Sequence, residues 1–127
     1  MFYVKEAKGT VREVSEKLTI AVAANKFGVL ATHDLRQKMA DKGVDFHGQC
    51  LVFEVCNPVQ AKQVLEADPL ISVALPCRIS VYEEGGKVKV ATLKPTALFA
   101  LLGKPQLASV AQAVEDALTR IINAACQ

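Results

Sequence analysis

The sequence predicts an α+β fold: one largely antiparallel sheet with helices packed on one face, in a single domain spanning residues 1–127. Three observations predict it. From Leu75 to Val90, apolar and polar residues alternate on either side of Gly85-Gly86, the pattern of a tight hairpin. From Pro105 to Ala125, apolar residues hold a helical period for about five turns. Between the ends, strand-like and helix-like stretches follow in the order strand, helix, strand, strand, helix, hairpin, helix.

Phe2 to Ala7 reads as a short strand. Thr10-Val11-Arg12-Glu13 is a capping box, in which Thr and Glu satisfy free amides at a helix start. The helix after it presents Val11, Val14, Leu18, Ala21 and Val22 as one stripe and ends near Asn25. Phe27 to His33 is a second strand, and Asp34 caps a short helix through Met39, stopped by Gly43. Lys42 to Gln49 is a polar loop that contains His47. Gln49 to Cys56 is a third strand, with Leu51, Phe53 and Val55 inward. Asn57-Pro58 opens a helix with the stripe Ala61, Val64 and Leu65, and Asp68-Pro69 ends it. Ile71 to Ala74 is expected to add an edge strand. Pro95 to Leu102 is short and very apolar, so some of its residues cover a pocket or a partner, or the segment is a buried single turn.

A two-residue loop at Gly85-Gly86 fixes the hairpin register: Glu84 faces Lys87, Tyr82 faces Lys89, Val81 faces Val90 and Ile79 faces Thr92. Ile79, Val81, Val88 and Val90 then share the face to be buried. Arg78, Ser80, Tyr82 and Lys89 share the other face. Cys77 falls on the buried side, where a thiol behaves as a small hydrophobe. The competing reading has it lining an internal pocket just after Pro76.

Hydrophobic residues make up 51% of the chain and charged residues 22%, as expected of a globular domain that needs no staples. A net charge of +2 is too small to imply a polyanion, and the lack of Trp argues against base-stacking platforms. Nucleic acid is therefore not expected as a partner. The start, Met1 to Glu6, is not a signal peptide, and no run reaches the roughly 20 apolar residues of a membrane span. A cytoplasmic protein with reduced cysteines and no membrane partner is expected.

The chain also resembles the family called domain of unknown function 302. The matching residues are Leu30 to Leu35, Lys42-Gly43, Glu54-Val55-Cys56-Asn57-Pro58, Asp68-Pro69 and Leu75-Pro76-Cys77-Arg78-Ile79-Ser80-Val81-Tyr82-Glu83. The Leu-Pro-Cys-Arg stretch is the most specific. The resemblance implies a small α+β sheet with helices on one side, in a TATA-box-binding-like arrangement, and a homodimer. It implies no reaction, cofactor or catalytic residue.

The chain has four cysteines and no Cys-x-x-Cys pair, so the usual zinc and redox signatures are missing and no metal or cofactor is expected. Cys50 and Cys56 share a strand face roughly 20 Å apart, too far for a disulfide. Cys56 precedes a helix start, whose dipole favours thiolate. Cys77 and Cys56 are thus the candidate reactive thiols. Cys126, beside the C-terminus, is expected to fray. His33 would alternate with Val29 and Ala31 and so face the interior. His33, Cys77, Arg78 and Phe99 are the candidate pocket residues.

Two functions follow as expectations. The first is a homodimeric module that binds a small apolar ligand or a protein without catalysis. The second is a thiol-dependent redox, sulfur-transfer or thiol-ligated cofactor protein that uses Cys77 or Cys56. Nucleic-acid binding, by fold analogy alone, comes third.

Overall fold

Gly85 and Gly86 both take positive φ, 60° and 77°, which only glycine adopts without strain. The two-residue bend they form sets every pair in the hairpin: Ile79 with Thr92, Val81 with Val90, Tyr82 with Lys89 and Glu84 with Lys87. This is the register expected from the diglycine.

The structure, a computed structural model, describes residues 1–127. In chain order it comprises β1 (Phe2–Ala7), α1 (Val11–Ala24), β2 (Gly28–Asp34), α2 (Leu35–Asp41), β3 (Cys50–Cys56), α3 (Pro58–Ala67), β4 (Cys77–Glu84), β5 (Lys87–Leu93), α4 (Pro95–Leu101) and α5 (Ala108–Ala125). The strands form one sheet in the order β1-β5-β4-β3-β2, with every pair antiparallel. The fold is α+β, as the sequence predicts.

The helix starts follow their caps. Thr10 Oγ1 accepts the Glu13 N–H at 3.1 Å, and Glu13 Oε1 accepts the Thr10 N–H at 3.1 Å. Asp34 Oδ1 accepts the Gln37 N–H, and Asn57 Oδ1 accepts the Gln60 N–H, each at 3.0 Å.

One face of the sheet and the stripes of α1 and α5 form the main core. Val14, Leu18 and Val22 of α1 meet Ile79, Val81 and Val90 of the hairpin and Leu118, Ile121 and Ile122 of α5. A smaller apolar cluster of Val64, Ile71, Phe99, Leu107 and Ala111 ties α3, α4 and α5 together beside it. Phe99 is buried in this cluster, but Leu101 and Leu102 at the end of α4 are exposed, so the segment is not a deeply buried single turn.

Three expectations change. Pro69–Ala74 is a 3-10 turn, with no strand at Ile71 to Ala74. Asp68 accepts the Leu70 N–H at 3.0 Å, and Pro69 follows it, so the segment starts as a turn of helix. The last helix begins at Ala108, because Pro105–Leu107 form a separate 3-10 turn. Cys126 does not fray: its N–H reaches Ile122 O at 3.1 Å, and it is 5% exposed in the main core.

Candidate functional site

The main core and the smaller cluster do not close on each other completely. Between them lies a cavity of about 340 Å³ at the end of the sheet where β3 stops and β4 starts. The ends of β3, β4 and β5 line it on the sheet side, and four further elements wall it. α3 contributes Ala61 and Val64, and the 3-10 turn with its exit contributes Ala74, Leu75 and Pro76. α4 brings Leu98 and Phe99, and α5 brings Val110, Ala111 and Val114. The Leu75–Pro76 peptide is cis. Of the 21 lining residues 15 are hydrophobic, so the cavity suits an apolar occupant more than a polar one.

Its polar wall is sparse, and most of that is committed. Thr92 Oγ1 donates to Arg78 O at 2.7 Å. Asn57 accepts the Gln60 N–H and donates to Lys26 O at 3.4 Å. Gln60 Oε1 is buried with no hydrogen-bond partner. Arg78 is the single lining residue whose side chain carries a full charge at neutral pH. Its side chain, however, lies on the sheet face away from the main core, where Nη2 donates to Glu54 Oε1 at 3.3 Å.

Three of the four candidate pocket residues, Cys77, Arg78 and Phe99, line this cavity; His33 does not. The reason is a β-bulge in β2. Val29 pairs with Val55 on the core side, but the register shifts before Ala31, which pairs with Glu54. One extra residue turns every later side chain over. His33 therefore pairs with Val52 on the far side of the sheet, and its Nε2 lies 3.4 Å from Glu54 Oε1. Arg78 Nη2 contacts the same oxygen at 3.3 Å. Glu54 is thus bridged by a residue on each side, across three strands.

Cys77 packs against the core and meets the cavity. Burial first, and the nearby Cys56 second, push its pKa up to about 11. Cys56 lines the same cavity, and burial raises its pKa too. Desolvation by burial favours its protonated form, against the thiolate expected from the helix start. No three His, Cys, Asp or Glu side chains stand together as a metal site would require.

A second depression, of about 620 Å³, lies between α1, α2 and the start of β3. Arg12, Glu16, Asp34 and Arg36 line it, with only 4 hydrophobic residues of 12, so its walls offer both charges and little apolar contact. Gln60 and the α3 wall were missed in the sequence. Their signal was the small residue Ala61 on a helix face that also carries Val64.

An antiparallel sheet with helices on one face, and a partly open apolar cavity at its end, define a small α+β protein. Domain of unknown function DUF302 matches residues 3–125, and the chain belongs to that family. A crystal structure of an uncharacterized conserved DUF302 protein from Bacillus stearothermophilus is similar over 99% of this chain and 98% of that one. Sequence identity is 32% and the TM-score is 0.93. No curated protein matches the sequence. No helix is long and apolar enough to cross a membrane.

Proposed function

We propose that the protein is a binding module for a small, largely apolar molecule, held in the cavity walled by α3, α4 and α5. One observation carries this reading: a cavity of about 340 Å³ with a predominantly hydrophobic lining. An engineered apolar cavity of about 150 Å³ already takes up benzene, so this one has room for about twice that bulk. Absence of catalysis is part of the reading. Its support is that the imidazole and the thiol expected to share a pocket lie on opposite sides of the sheet.

Thermal shift and calorimetry with naphthalene, indole and decanol test it. Micromolar binding by at least one is expected, with a rise in Tm. Ala61→Phe fills the cavity and removes the binding while the fold is kept. No binding by any member of the panel, or binding untouched by Ala61→Phe, overturns the reading.

A thiol-dependent role is the second reading, favoured by the meeting of Cys56 and Cys77 at one cavity. The raised pKa of each works against it. Iodoacetamide rates measured cysteine by cysteine decide. A Cys77 or Cys56 that reacts faster than an ordinary thiol restores it.

A further inference from the structure

Helix α3 carries one uncharged polar side chain on its inward face. Asn57, Gln60, Ala61 and Val64 all line the cavity, and they fall at i, i+3, i+4 and i+7, the spacing of a single helix face. Asn57 is the N-cap, and Val64, one turn beyond Gln60, is buried in the smaller apolar cluster. Between them stands an amide whose Oε1 is buried with no hydrogen-bond partner. A carbonyl oxygen deprived of both water and a donor is costly, and native folds hold few of them.

The other polar groups of the wall are engaged elsewhere. Asn57 Nδ2 donates to Lys26 O, and Thr92 gives its one hydroxyl proton to Arg78 O. Arg78 itself reaches Glu54 on the opposite sheet face. The thiols of Cys56 and Cys77 are weak donors at best.

The wall is also without charge. No Asp, Glu, Lys or His lines it, and burial holds both thiols in their protonated form. An ion entering this space would leave water and meet no counter-charge, a far larger penalty than a single hydroxyl incurs.

We infer that the cavity takes an uncharged molecule with an apolar body and one hydrogen-bond donor, a hydroxyl or a ring N–H, which pairs with the Gln60 Oε1. This rests on the binding reading above and narrows its ligand class. Contact with Val64, Leu98, Phe99 and Ala111 supplies most of the affinity, and the donor decides which end of the molecule lies against α3. A two-ring aromatic alcohol suits the volume. If about 150 Å³ holds the six carbons of benzene, about 340 Å³ accepts the roughly 11 heavy atoms of 2-naphthol.

Calorimetric titration of the full chain at pH 7 with three compounds of one skeleton tests the inference. Naphthalene has no polar group, 2-naphthol adds a donor, and 2-methoxynaphthalene keeps the oxygen but loses the donor. 2-Naphthol is expected to bind roughly tenfold more tightly than either of the others, the worth of one buried hydrogen bond. Gln60→Met keeps the length of the side chain and removes the acceptor. It is expected to bring 2-naphthol to within twofold of naphthalene and to leave naphthalene itself unchanged. Naphthalene or 2-methoxynaphthalene binding as tightly as 2-naphthol overturns the donor class while the binding reading stands. A preference for 2-naphthol that survives Gln60→Met overturns the assignment to that residue. If none of the three binds, the binding reading falls and takes this inference with it.

Discussion

His33 Nε2 stands 3.4 Å from Glu54 Oε1, on the sheet face opposite the one that carries the Cys77 side chain into the core. An imidazole can activate a thiol only within hydrogen-bond reach. The sheet itself separates these two. What chemistry the cavity has must come from its own wall, and that wall offers apolar surface, the Gln60 amide and two protonated thiols.

Cys77 is expected to be unreactive. With a pKa of about 11 in place of 9.0, its thiolate fraction at pH 8 is roughly a hundredfold lower than an ordinary thiol's, and iodoacetamide should label it correspondingly slowly. The same shift gives a sign for stability. The folded protein holds the proton more tightly, so the contribution is complete below pH 9 and lost as pH rises to about 11. Urea titrations should show Cys77→Val losing less stability across that range, by on the order of 2–3 kcal/mol.

Lys104 Nζ pairs with Asp68, joining the segment after α4 to the start of the 3-10 turn. The hydrogen bond from Lys104, and next the Leu70 N–H, hold the Asp68 carboxyl below its ordinary value. A lowered carboxyl contributes stability above its unfolded pKa and loses it as pH falls through the folded one. Lys104→Met should therefore lower Tm at pH 7. Its deficit should shrink toward zero as the pH is taken below 3.

Ser15 Oγ is buried in α1 without a hydrogen-bond partner. Ser15→Ala removes that unmet group and supplies a better helix former. A gain of about 1 kcal/mol is expected by urea denaturation, with no change in ligand binding.

Phe99 is 7% exposed and holds α4 to Val64, Ile71, Leu107 and Ala111. Truncation to Ala leaves a void that this small cluster cannot close, at a cost of about 3 kcal/mol. Phe99→Leu should cost less than half as much. The expected signature is a lower midpoint with an unchanged denaturant slope.

The hairpin was legible in the sequence because glycines at positive φ permit few bends, and a two-residue bend allows one register. The capping box at Thr10 and the caps at Asp34 and Asn57 were legible for a similar local reason: a side chain and an amide three residues on. The face of His33 was not. A bulge adds one residue through pairing with a neighbouring strand, and no residue in Gly28-Val29-Leu30-Ala31 announces it. The 3-10 turn at Pro69–Ala74 misled because its apolar run suits a strand equally well. Cys77, Arg78 and Phe99 were found from the hairpin and the apolar run after it. The cavity that joins them was not legible, since it depends on how two apolar clusters fail to meet.

Phe2 pairs with Leu93, and the Lys94 N–H reaches Met1 O at 2.7 Å. β1 thus docks beside β5, and the connection between them, residues 8–86, is long enough to make its closure entropically costly. The hairpin can zip up by itself, but β1 has nothing to pair with until β5 exists. Pairing of such high sequence separation makes this a slower folder than a helical bundle of equal length.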